Sequence, residues 1–83
     1  MHELSIAEGI IDCIEKQRKK YKFARPKMIE LICGKYNCLS EENIQFCFSA
    51  LTKSTYMEGA RLKITKTENA INEILITAME VEP

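Results

Sequence analysis

Apolar residues fall at Ala7, Ile10, Ile11 and Ile14, the spacing of a helix with one buried face, and the stripe fades at Gln17 and Arg18. This predicts a first helix from about Ser5 to Tyr21. Ser5 and Glu8 form an S-x-x-E pattern, in which each side chain satisfies an orphan backbone donor at a helix start. A start at Ser5 leaves Met1, His2 and Glu3 extended and accessible. Arg25-Pro26 closes the region, because the residue before a proline avoids the helical conformation. From Lys27 to Cys33 the period changes to two, with Ile29, Leu31 and Cys33 on one face and Met28, Glu30 and Ile32 on the other. Gly34 marks a bulge or the end of that strand, and a turn follows over Asn37 to Ser40.

Ser40, with Glu41 and Glu42 behind it, reads as a second helix start with acidic side chains at the positive end of the dipole. Its buried stripe is predicted to be Ile44, Cys47, Phe48 and Leu51, widened by Phe46 and Ala50, with fraying by Ser54. Glu58-Gly59 turns the chain into a half-exposed strand, Ala60 to Thr67, where Leu62 and Ile64 alternate with Arg61, Lys63 and Thr65. The last strand, Ile74 to Val81, is expected to carry Ile74, Ile76 and Ala78 on one face and Leu75, Thr77 and Met79 on the other. The linker between these two strands is short enough to suggest an antiparallel hairpin. The expected fold is α+β, in the order α-β-α-β-β, with two helices on one face of a small three-stranded mixed sheet.

With 83 residues, the chain has room for one domain, which buries only about three-fifths of its unfolded surface. Hydrophobic residues make up 46% of it, enough for a core. Lysine plus arginine is 12 and aspartate plus glutamate is 12, so the balance of charge does not point to nucleic acid or an anionic membrane as the main partner. The run Lys16-Gln17-Arg18-Lys19-Lys20 complements the end of a helix dipole and reads as a solvated face. No apolar run approaches a membrane span, and Met1-His2-Glu3 lacks the layout of a signal peptide, so the expected location is cytoplasmic.

The four cysteines are Cys13, Cys33, Cys38 and Cys47. Without a signal peptide they do not read as a disulfide framework. They form no Cys-x-x-Cys pair, and with a single histidine the spacing fails as a structural zinc site. They are read as small buried apolar residues. Cys33 and Cys38 could approach across the strand end, but inert thiols are preferred to a redox pair or soft-metal site.

Met1-His2-Glu3 is the combination with chemical promise. A histidine at position two offers a terminal amine, its own backbone amide and its imidazole, which can form fused chelate rings around one metal. The Glu3 amide or carboxylate can supply a fourth position. A planar field of nitrogen and oxygen suits nickel(II) or copper(II). On the residues alone, an exposed side chain near a frayed terminus is the preferred reading of His2, since one histidine is thin support for a metal site. No nucleophile-histidine-acid set and no glycine-rich phosphate loop is present in the sequence, so an enzyme is not expected.

Met1-His2-Glu3-Leu4-Ser5, followed by a helix, resembles the opening of the HypA/HybF proteins, in which Met-His-Glu is the nickel-binding motif. The resemblance continues through Glu30-Leu31-Ile32-Cys33-Gly34, through Ser40 to Leu51 with Phe46 and Phe48, through Glu58-Gly59-Ala60 with Leu62 and Ile64, and through Asn72-Glu73-Ile74-Leu75. It implies a nickel metallochaperone with Met1, His2 and Glu3 as the metal site. It also implies a HypB-type GTPase as partner and a nickel-enzyme precursor as client, a nickel-iron hydrogenase ahead of urease. Members of that family carry two Cys-x-x-Cys pairs between the second and last strands. Here only the linker of about residues 67–72 stands in that place. Residues 1–83 are therefore expected to form a single nickel-binding domain without structural zinc. Two other readings are a protein-interaction or regulatory module that keeps the fold without full nickel delivery, and a homodimer built by strand exchange across the shortened hairpin.

Overall fold

The computed structural model describes residues 2–34, 40–67 and 75–83, and of His2 the backbone alone. The elements are α1 (His2–Tyr21), β1 (Arg25–Cys33), α2 (Glu41–Thr52), β2 (Arg61–Lys66) and β3 (Leu75–Glu82). The α-β-α-β-β order is as expected, and the two helices pack with a three-stranded mixed sheet.

The sheet is ordered β2-β1-β3. β1 pairs in parallel with β2 and antiparallel with β3. β2 and β3 therefore do not form the expected hairpin, because β1 lies between them. A short linker limits the distance between two strand ends, but it does not make the strands neighbours. The parallel pair needs a crossover, and α2 supplies it. β1 suits the centre of the sheet, since Ile29, Leu31 and Cys33 are buried on one face while Met28 and Ile32 are half-buried on the other.

The core lies between the helices and the inward face of β1. Ala7, Ile10 and Ile14 of α1 meet Ile29 and Leu31 of β1 and Ile44 and Phe48 of α2. The α1 stripe, the β1 alternation and the strand's end before Gly34 match the sequence pattern. The stripe of α2 is narrower than predicted. Ile44 and Phe48 are buried and Cys47 is half-buried, but Phe46, Leu51 and Ala50 are exposed. Thr52 is buried in their stead, its hydroxyl donating to the Phe48 carbonyl at 2.8 Å, so a polar side chain reaches the interior with its hydrogen bond made internally.

Both predicted starts were serines, and they differ in outcome. Ser40 caps α2, accepting from the Asn43 amide at 3.2 Å with extended backbone angles. Ser5 does not cap α1, because the helix begins at His2 and Ser5 is an exposed position inside it. Helical geometry thus continues through a residue pattern that also suits a start.

The faces of β3 also differ from strict alternation. Ile76, Met79 and Val81 are half-buried against the core, whereas Leu75, Thr77 and Ala78 are exposed. The cause is a register shift: Leu31 faces Ile76 but Glu30 faces Ala78, leaving Thr77 as the extra residue. A bulge of this kind reverses the parity of side chains beyond it. The Thr77 hydroxyl lies 3.3 Å from the Glu30 carbonyl, to which it donates. A second shift at Pro26/Met28 accommodates a proline, which lacks the donor a regular ladder requires. Ile74, Asn37 and the Cys38 half of the Cys33–Cys38 reading lie outside the described residues.

Candidate functional site

α1 places two of the predicted metal ligands, His2 and Glu3, at its start. Met1 lies outside the described residues, the His2 backbone opens the helix, and Glu3 sits half-buried in the first turn. His2 and Glu3 are therefore helical rather than part of an extended arm ahead of a cap. This changes the chemistry less than it changes the geometry. The first four amides of an α-helix have no intrahelical acceptor, so the backbone nitrogens of His2 and Glu3 are not committed to the helical ladder. The positive end of the helix dipole disfavours a bare cation, and Glu3 places a negative charge in that turn. Among the described residues no group of three His, Cys, Asp or Glu side chains could hold a metal. Cys13 is exposed, Cys33 is buried with its thiol donating to the Gly34 carbonyl at 3.6 Å, and Cys47 is half-buried.

The opposite end of α1 forms a second feature that the sequence pattern did not indicate. The helix closes where the Lys22 amide donates to the Arg18 carbonyl at 2.7 Å, with Lys22 at φ +55°. The chain then turns through Phe23, which is buried, and the Arg18 Nε donates to the Phe23 carbonyl at 3.0 Å. The Arg18 guanidinium carbon lies 4.1 Å from the centroid of the Tyr56 ring. Tyr56 comes from the turns after α2, which are closed by Thr55 to Thr52 and Ala60 to Met57 backbone bonds. A cleft of about 440 Å³ results, lined by Glu15, Arg18, Lys19, Lys22, Phe23 and Tyr56. Burial lifts the Tyr56 phenol above its usual pKa range, the Glu15 carboxylate adds to this, and the Arg18 guanidinium opposes it. Arg18 and Tyr56 lie too far apart in sequence for local pattern to join them. The only signal was the density of positive charge at residues 16–20.

Among the described residues no helix is long and apolar enough to cross a membrane.

Comparison with known proteins adds a family. The profile described as "Hydrogenase/urease nickel incorporation, metallochaperone, hypA" matches residues 1–72. The chain is 42% identical over 66 residues to the hydrogenase maturation factor HypA of Azotobacter chroococcum mcd 1, which covers 80% of this chain and 58% of that protein. It is also 42% identical over 64 residues to the same factor from Methylocella silvestris, covering 77% of this chain and 57% of the relative. The chain thus spans less than two-thirds of the length of the curated relatives it matches. The solution structure of the nickel metallochaperone HypA from Helicobacter pylori superposes with a TM-score of 0.78 over 96% of this chain and 97% of that one, at 13% identity. At that identity the superposition speaks for the fold. The described family is one of metallochaperones rather than catalysts, and on the span of the profile match the chain belongs to the HypA family.

Proposed function

We propose that this chain carries nickel(II) for maturation of a nickel enzyme, with a nickel-iron hydrogenase ahead of urease as its client, and that Met1, His2 and Glu3 take up the metal. The Met1 amine, the His2 amide nitrogen and the His2 imidazole provide three nitrogens, and Glu3 provides a fourth ligand through its amide or carboxylate. Nickel(II) favours such a planar nitrogen and oxygen field. The observation that carries the reading is the position of His2 as the first residue of α1, where the amides needed for the chelate are not used by the helix. Family membership supports it. In this reading residues 1–83 act as one nickel-binding unit, residues 67–72 stand where the family has its zinc module, and no structural zinc is required. A HypB-type GTPase and the precursor of the client enzyme are its partners, in the cytoplasm.

The test is nickel calorimetry on the chain with a free Met1 amine and on a version with one residue added before Met1. The addition removes the amine from its chelate ring and leaves every side chain in place. One nickel per chain with a free amine, and far weaker binding by the extended version, is the expected result. Because amine and imidazole must lose protons to bind, affinity should also fall as pH drops through roughly 6.5, the ordinary imidazole value. Equal binding by both versions would move the site elsewhere.

A second reading is a non-catalytic protein-interaction or regulatory module that keeps the HypA-like fold without full nickel delivery. Absence of nickel binding by either version would favour it.

A further inference from the structure

We propose that the cleft at the C-terminal end of α1 is a docking site for an acidic, partly apolar peptide segment of a partner protein, gripped by Arg18, Lys19 and Lys22. This inference goes beyond the nickel reading and does not depend on it. Arg18 lies sixteen residues after His2, about 24 Å along the helix.

Three observations carry it. Charge is concentrated there: residues 16–22 hold Lys16, Arg18, Lys19, Lys20 and Lys22, five of the chain's 12 basic residues, within a sequence of zero net charge. Arg18 is already oriented, since its Nε donates to the Phe23 carbonyl and its guanidinium carbon lies over the Tyr56 ring. Its terminal nitrogens make no ion pair among the described residues, whose one salt bridge is Arg25 with Glu82. An ordered guanidinium fork suits a carboxylate, which it can grip through two parallel hydrogen bonds. Thirdly, Lys22 holds a left-handed conformation in which glycine would be less strained at a helix end. A lysine there keeps an ammonium on the cleft wall at a backbone cost.

The surroundings select the occupant. The cleft stands at the carbonyl end of α1, the negative end of its dipole, and Glu15 lines it. A compact dianion such as phosphate gains less there than it would at amides. Singly charged carboxylates spread along a peptide can each meet one of Arg18, Lys19 and Lys22, while the half-buried Tyr56 offers apolar surface to an intervening side chain.

The experiment is fluorescence anisotropy with a labelled ten-residue peptide of glutamate, aspartate and leucine, titrated with the full chain at low ionic strength. A single-stranded ten-nucleotide DNA serves as competitor. Lys22→Gly removes the charge and relieves the backbone, so it tests binding without loss of fold. Saturable peptide binding is expected, weakened roughly two- to fivefold by Lys22→Gly and similarly by Lys19→Gln, with a melting temperature unchanged or raised for the former. Arg18→Lys keeps the charge without the fork and should weaken binding at least as much. No peptide binding, or binding unaffected by Lys22→Gly and Lys19→Gln, overturns the proposal. So does tighter binding of the DNA than of the peptide, which would assign the charge to nucleic acid.

Discussion

Gly59 leads the chain into β2 at φ +87°, a conformation that side chains rarely adopt. A Cβ placed there would lie 3.7 Å from the Arg25 Nη2, an ordinary contact. Gly59→Ala therefore acts through backbone strain alone. The expected loss is about 1 kcal/mol, a fall in melting temperature of roughly 4–8 °C for a chain of this size, read by thermal denaturation. The two serines allow a sharper comparison. Ser40→Ala removes an observed cap and should cost about 1 kcal/mol. Ser5→Ala replaces an exposed residue inside α1 with the best helix former, and should be neutral or stabilising by up to about 0.5 kcal/mol. Equal losses from the two, measured by denaturant titration, would mean that Ser5 caps α1 after all. At this scale the sequence distinguished the residue types suited to a cap but not which of them was used, because a serine and a glutamate three positions on are also compatible with a helix interior.

Between elements, the Tyr56 ring under Arg18 joins the end of α1 to the turns after α2. The phenol is lifted above its ordinary value near pH 10 by burial and by Glu15, so the folded chain holds that proton longer than the unfolded one. The stability linked to Tyr56 is then fully present below the unfolded value and is lost as pH rises through the folded one. Tyr56→Phe should unfold with a shallower loss of stability above about pH 10 than the unsubstituted chain, as followed by circular dichroism across alkaline pH. An identical slope in the two proteins would show that Tyr56 makes no such contribution. The elements themselves were largely legible. The stripe Ala7, Ile10, Ile14 gave α1, and the alternation Ile29, Leu31, Cys33 gave β1. What escaped was their arrangement. The position of β1 between β2 and β3 depends on pairing across long separations, and the bulge at Thr77 reverses the facing of β3 without any glycine to announce it. Phe46, 73% exposed, shows the same limit, since hydrophobicity marks what a side chain would gain by burial and not whether a partner surface is present.

Across the whole molecule, the relation between metal and fold can be argued from where the ligands stand. The fold is held by side chains drawn from all parts of the chain: Ile14 from α1, Ile29 and Leu31 from β1, Ile44 and Phe48 from α2. The proposed ligands are three consecutive residues at one end. A ligand that binds only the native state at one hundred times its dissociation constant stabilises by about 2.7 kcal/mol, which would raise the melting temperature by roughly 10–20 °C here. That figure shrinks when the unfolded chain binds too, and a chelate assembled from adjacent atoms of Met1, His2 and Glu3 does not require the sheet or the core. Saturating nickel should therefore raise the melting temperature by far less than roughly 10 °C, even where calorimetry gives a tight one-to-one complex. Excess chelator should leave the unfolding midpoint unchanged, since the core is aliphatic and aromatic. His2→Ala should abolish the calorimetric signal while moving the metal-free midpoint by little, as befits the first residue of a helix end. A rise of 10 °C or more with nickel would require ligands brought together by tertiary structure. The metal centre would then have to be sought beyond Met1, His2 and Glu3.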